Sequence, residues 1–193
     1  MVADAPPAAV WRAWPPALAC GFLFLASGLP GVSKAQELGT RGCRLSQLAL
    51  GIGPWISEAT GQHTLAVRLV NRGPTPCVLD GYPTIRLSDR AGTIPFVIRH
   101  GGDQMVTSDR PRRVLVGSSH ATFVVLNHYR CDLGGIPAAR TLSLGLPHAP
   151  RAQSATIAIR PRQRWIDYCD KGDRGSTVSV SPFEPNLRAA LEH

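Results

Sequence analysis

The cysteines carry the clearest spacing among the residues capable of chemistry. The chain has five. Cys20 lies in an apolar N-terminal run, while Cys43, Cys77, Cys131 and Cys169 are spread along the rest. No C-x-x-C pair occurs, and a structural zinc site needs closely spaced ligands, so a metal is not expected. An even number of distant cysteines in an exported domain points instead to two disulfides. Three pairings are possible. Cys43–Cys77 with Cys131–Cys169 is preferred, because each pair then closes one half of the domain. Each closed loop of about 35 to 40 residues is worth about 4 kcal/mol in the chain-entropy model. That is comparable to the net stability of a small domain.

The other reactive residues form no catalytic set. The six histidines, His63, His100, His120, His128, His148 and His193, show no H-x-x-x-H spacing or zinc-protease pattern. Each is expected to be a surface side chain at a turn, strand end or terminus. His128 lies close to Cys131, but a disulfide-bonded cysteine is no nucleophile. No Gly-x-Ser-x-Gly elbow is present. Gly117-Ser118-Ser119-His120 sets hydroxyls beside an imidazole, yet neighbours on a strand face opposite ways. Asp167, Asp170 and Asp173 lack the regular spacing of a calcium loop. The expectation is therefore a protein that is not an enzyme and takes no cofactor.

Two basic clusters and one loop are the candidates for binding. Arg110-Pro111-Arg112-Arg113 precedes a strand, so Arg110, Arg112 and Arg113 could meet an anion. Arg160, Arg162 and Arg164 alternate along an extended segment beside Trp165 and would share one face. Arginine next to an aromatic can hold acidic or sugar groups through bidentate hydrogen bonds and stacking. Asp80-Gly81-Tyr82-Pro83 is the most individual stretch. Gly81 there suits a positive φ, Pro83 a bend, and Tyr82 a place packed beneath the turn. Asp80, Gly81 and Tyr82 together form a candidate ligand loop.

Stepping along the chain from its start, Ala17 to Leu29 reads ALACGFLFLASGL, uncharged and apolar. It is shorter than the roughly 20 residues a bilayer span needs and has the length of a signal-peptide core. Ser33-Lys34-Ala35 offers small residues at the cleavage positions, so residues 1–35 read as a signal peptide cut after Ala35. Cys20 also follows Ala17-Leu18-Ala19 in a lipoprotein-like setting, although most of the apolar run comes after it. Secretion or retention as a signal anchor is therefore the favoured route over lipidation. Membrane attachment would come only through this leader, if it is uncleaved or lipidated.

The whole chain carries 21 Lys and Arg against 13 Asp and Glu, a net of +8. Removing the leader takes away Arg12, Lys34 and Asp4 and leaves a net of +7. Lys34 and Lys171 are the only lysines, a bias that a GC-rich genome would also produce. A basic chain is drawn to anionic polymers. Nucleic acid is not expected, because the compartment is wrong and no binding motif appears.

The mature part alternates apolar and polar residues. Leu65, Val67 and Leu69 oppose Thr64, Ala66 and Arg68. Ile85 and Leu87, Leu142 to Leu146, Ile157 and Ile159, and Val178 and Val180 repeat the pattern. A period of two predicts half-buried strands, each with one wet face. Ala121 to Leu126 is apolar on both faces and predicts a central strand. Turn signals such as Asn71-Arg72-Gly73-Pro74 and Asp89-Arg90-Ala91-Gly92 separate the runs. Gly (19) and Pro (17) are frequent, which suits many turns, and no amphipathic helix is evident. The prediction is all-β, an antiparallel immunoglobulin-like sandwich over 43–182. A linker over 36–42 precedes it, and a tail or one frayed helical turn over 183–193 follows.

Leu69 to Pro83 reads LVNRGPTPCVLDGYP. This series of strand, Asn-x-Gly turn, Pro-Cys and Gly-Tyr-Pro resembles a family of actinobacterial exported domains of unknown function (number four-two-three-two). Cys43-Arg44-Leu45 matches the family's opening cysteine, and Ile85 to Gly92 its strand and acidic-to-Gly turn. Val114 to Val125 is similar to its next strands, with Val116-Gly117-Ser118 in place of the usual Pro-Gly. Cys131 and Cys169 occupy the places of its later cysteines. The resemblance covers about 43–182. It implies an exported β-sandwich, often attached to the cell envelope, and no assigned activity.

Three functions compete at this level. The first is a binding module on the outer side of the envelope, meeting an acidic wall polymer or an envelope protein. The others are a secreted hydrolase with a cryptic site and a protease-inhibitor-like domain. The first is favoured, since sandwich loops present residues from rigid strands.

Overall fold

A computed structural model describes residues 41–118, 120–131, 137–150, 152–160 and 166–192. The leader, Cys20 and the cleavage point lie outside these residues.

The strands are β1 (Leu48–Ile52), β2 (Gln62–Asn71), β3 (Cys77–Leu79), β4 (Thr84–Ser88), β5 (Val97–His100), β6 (Val114–Val116), β7 (Ala121–Tyr129), β8 (Thr141–Gly145), β9 (Ala155–Ala158) and β10 (Thr177–Val180), followed by one helical turn, α1 (Leu187–Ala190). They form a five-stranded sheet in the order β1-β2-β7-β10-β5, a three-stranded sheet β4-β8-β9 and a pair β3-β6. The fold is the expected all-β antiparallel sandwich. One pair departs from the rule: β5 runs parallel to β10, from Val97↔Thr177 to His100↔Val180.

The alternation seen in sequence sets the core. Leu65, Val67 and Leu69 of β2 and Val124 and Leu126 of β7 face inward from the larger sheet. They pack into the same cluster as Leu87, Leu142 and Leu144 of the three-stranded sheet and Leu79 and Val116 of the short pair. Each such leucine, fully buried, contributes about 2 kcal/mol.

The wet second face expected for β2 is largely absent. Ala66 of β2 and Val125 of β7 point to the reverse side and are buried there with Ile56, Met105, Val106 and Ala190. β7 was expected to be apolar on both faces, and it is the central strand. Strands two deep in a sheet need cover on both sides when both sides are apolar. That cover comes from the segment around Val106 and from Leu187–Ala190, the one helical turn expected there, which is packed rather than frayed. Asn186 caps α1 by accepting from the Ala189 N–H at 2.9 Å. The Ala190 carbonyl accepts from Thr107 N–H at 3.2 Å, and the Glu192 carboxylate accepts from Ser108 N–H at 2.8 Å.

Both disulfides form with the preferred pairing, Cys43–Cys77 and Cys131–Cys169. The first ties the start of the domain to β3, and the second ties the end of β7 to the approach to β10. The predicted turns are built by their side chains. Asn71 Oδ1 accepts from Gly73 N–H at 2.8 Å, while its amide donates to the Thr75 carbonyl at 2.7 Å. Asp89 Oδ1 accepts from Ala91 and Gly92 N–H. Short side-chain oxygens commonly organise turns this way.

Candidate functional site

Where β3 passes into β4, Gly81 has φ +82°, a conformation that strongly favours glycine. The Gly81 carbonyl accepts from Phe183 N–H at 3.2 Å. This places Tyr82 against β5, where its ring stacks on His100 with centroids 4.4 Å apart and planes 2° apart. Gly101, with φ +76°, follows, and a Cβ there would come 3.2 Å from the Tyr82 hydroxyl. Tyr82 thus packs against the end of the neighbouring strand, while Asp80 is exposed.

Behind Tyr82 lies Glu184, whose side chain is 0% exposed. Paired backbone bonds to Phe123 hold it in place, at 2.8 and 2.9 Å. Glu184 Oε2 accepts from Arg112 Nη2 at 2.8 Å and Nε at 3.2 Å. Burial pushes the Glu184 carboxyl above its ordinary value; Arg112 pulls it down through its hydrogen bond and charge, and Asp109 pushes it up. Tyr82 is also raised, mainly by burial and then by the charge of Glu184. Arg112 of the basic cluster thus pairs with a buried carboxylate whose charge also reaches Tyr82. Arg112 pairs with Glu184 while its side chain stays 55% exposed. Arg110 and Arg113 are exposed. Arg160 is exposed just after β9, whereas Arg162, Arg164 and Trp165 lie outside the described residues.

On the other side of the Tyr82–His100 stack, a cleft of about 400 Å³ opens between β4 and β5. These are edge strands of the two facing sheets. Ile85, Phe96 and Ile98 supply apolar lining, and Thr84, Arg86, His100 and Ser143 supply polar groups. Arg86 and His100 are both exposed. A concave, apolar site with a few polar groups at its rim is the usual form of a binding site.

The lining is backed by an aromatic cluster. Phe96 meets Tyr168 edge-on at 5.3 Å and His128 at 6.3 Å. His128 is not the surface side chain expected. It is 1% exposed and faces His63 across β2 and β7 at 5.4 Å. Its Nδ1 lies 3.2 Å from the Gly175 carbonyl and its Nε2 3.7 Å from Asp167. Histidine on the inward-facing register of a buried strand is carried into the core with it. Each of the three aspartates weighed for calcium has its own contact. Asp167 faces His128, Asp173 accepts from Gly175 N–H at 2.8 Å, and Asp170 accepts from Lys171 N–H at 2.6 Å. Among the described residues, no group of three potential ligands is placed to hold a metal.

The family model for a domain of unknown function, DUF4232, matches residues 43–184. This chain belongs to the DUF4232 family. No curated protein and no solved structure matches it. The matched span opens on the half-cystine Cys43 and ends on Glu184, so the DUF4232 unit includes both disulfides and the buried carboxylate. Glu184 lies just beyond the 43–182 span predicted for the sandwich. The signal for it was Ser181-Pro182-Phe183-Glu184-Pro185, an acid flanked by a large apolar residue and two prolines. His100, Arg86 and Phe96 of the DUF4232 cleft gave no local signal, since topology alone brings them together.

Proposed function

We propose that this domain is a non-catalytic binding module working on the outer side of the cell envelope, with its recognition site in the β4–β5 cleft. The observation that carries the reading is the cleft itself, an apolar hollow between two sheet edges with an arginine and a histidine at its rim. Arg86 and His100 stand at that rim, and the net charge of +7 left once residues 1–35 are removed favours an anionic partner. Two disulfides agree with an oxidising location. Among the described residues, the His128–Asp167 pair is buried, with side chains 0% and 12% exposed. It backs the lining of the cleft, a packing role.

Cosedimentation with cell-wall material from the native host tests this reading. Wild type is expected to pellet at low salt and to be released as salt rises, because exposed charges are screened. Arg86→Ala combined with His100→Ala should weaken retention about tenfold, an effect of the size expected for losing two exposed contacts, one of them to a charged group. Retention indifferent to salt and to both substitutions would overturn the proposal.

A further inference from the structure

The reverse face of the five-stranded sheet is covered only in part. Register puts Arg99 of β5, Ser179 of β10 and Asn127 of β7 side by side on it. Thr177 and Tyr129, two residues along their strands, share that face. Ala66 and Val125 are covered there by Val106 and α1, but over Thr177, Ser179 and Tyr129 a hollow of about 520 Å³ stays open. The β4–β5 cleft is on the other side, because Ile98 and His100 alternate with Arg99. Two guanidinium groups line the hollow. Arg174, in the turn Arg174–Ser176, lies 4.6 Å over the Tyr129 ring. That turn is packed on the second disulfide: a Cβ on Gly175 would collide with Cys169 Sγ and come 2.6 Å from the Tyr129 carbonyl oxygen. Ser176 Oγ also accepts from Cys169 and Asp170 N–H at 3.1 and 3.0 Å. Arg99 is held through Nη2, which donates to the Gly102 carbonyl at 2.6 Å and to Ser179 Oγ at 3.2 Å. Among the described residues, no carboxylate lies within ion-pair distance of either guanidinium. The acid in the lining, Asp103, is occupied elsewhere. Its Oδ1 accepts from Met105 and Val106 N–H at 2.8 and 2.9 Å, and its Oδ2 from the Asn127 amide at 3.0 Å. Gln104 Oε1 accepts from Gln62 at 3.2 Å, which leaves the Gln104 amide to donate.

We propose that this hollow is a second binding site, for a sugar unit bearing one carboxylate or phosphate group. A guanidinium fixed by stacking or by hydrogen bonds offers its remaining N–H groups to two oxygens of one acidic group. Two such groups, neither paired with an acid, outweigh the single charge of Asp103. The hollow is larger than a bare oxyanion fills, and it has the size of a small-ligand site. Among the described residues, its lining holds no purely hydrocarbon side chain, so the rest of the ligand must be polar. Sugar hydroxyls suit the Thr177 hydroxyl and the Gln104 amide, each of which can donate and accept. This site stands apart from the β4–β5 cleft and does not depend on it.

The test is a nuclear magnetic resonance titration of the oxidised full chain at low salt with four probes: glucuronate, glucose 6-phosphate, glucose and inorganic phosphate. At least one of the two acidic sugars is expected to shift the Thr177 and Ser179 amides saturably, and which one does so decides between carboxylate and phosphate. Arg174→Ala, a change at an exposed side chain, should weaken that binding at least fivefold while leaving the urea midpoint unchanged. Arg99→Lys keeps the charge and loses the planar fork, and should weaken it at least threefold. Arg86→Ala, on the far side, should leave it unaltered. No saturable shift with either acidic sugar would overturn the proposal. So would glucose binding as tightly as the acidic sugars, or inorganic phosphate as tightly as glucose 6-phosphate. Binding weakened by Arg86→Ala and indifferent to Arg174→Ala would put the sugar in the β4–β5 cleft, which overturns this site and leaves the binding-module reading standing.

Discussion

Serine at both Cys131 and Cys169 is expected to lower the unfolding free energy by about 4 kcal/mol, the chain-entropy value for a loop of this size. The two residues stand 38 apart in sequence, and without the bond the unfolded chain regains the freedom of that loop. The loss is a large fraction of what a small domain has in total. Cys131 is also buried, so a serine hydroxyl there needs a hydrogen-bond partner or costs more. The Cys43–Cys77 pair, 34 apart, should give nearly the same loss, because loop length enters only as a logarithm. Urea unfolding of each double variant measures both values. A loss below about 1 kcal/mol would mean that the β-sheet core holds these ends without the crosslinks.

Arg112→Ala is expected to destabilise by about 2 kcal/mol at pH 8 and by much less near pH 4. Removing one partner of a buried ion pair leaves the other charge uncompensated, and the value is set below the range for fully buried pairs because the Arg112 side chain is 55% exposed. The sign follows from Glu184. Its carboxyl is raised in the folded state, chiefly by burial, so the folded state binds its proton more readily than the unfolded chain. That contribution to stability is complete below the unfolded value and is lost as pH rises through the folded one. Arg112 offsets the loss by favouring the ionised form. Without it the Glu184 carboxyl rises further, and the gap between variant and wild type widens as pH increases. Glu184→Gln keeps the shape and removes the titration, so it should flatten the pH dependence in both backgrounds. Thermal melts across this range decide the matter; an Arg112→Ala penalty equal at both ends would mean that the pair contributes no charge interaction.

Local pattern carried much of this fold. Leu65, Val67 and Leu69 show an inward face because strand geometry forces alternation, and Asn71 and Asp89 mark turns because their short side chains bond nearby backbone. Gly81 could be read as a positive-φ position from its place before Tyr-Pro. The cysteine pairing followed from dividing the domain into halves. What sequence did not show depends on tertiary neighbours. Ala66 looks polar-facing beside Thr64 and Arg68, and only the docking of α1 and Val106 buries it. Glu184 reads as tail because its partner Arg112 is far away in the chain. His128 looks like any strand-end histidine until the register with His63 turns it inward. The cleft exists because β4 and β5, from different sheets, both end at free edges, and no short stretch of residues encodes that meeting.

A domain that works outside the cytoplasm must leave it and be oxidised there. Intact-mass measurement of the protein taken from its native host under non-reducing conditions tests both points at once. The account predicts a chain beginning at Gln36 and lighter by four hydrogens than its reduced form, as two disulfides require. A chain that keeps residues 1–35 in the cytosolic fraction, with all of its cysteines free to react, would contradict it.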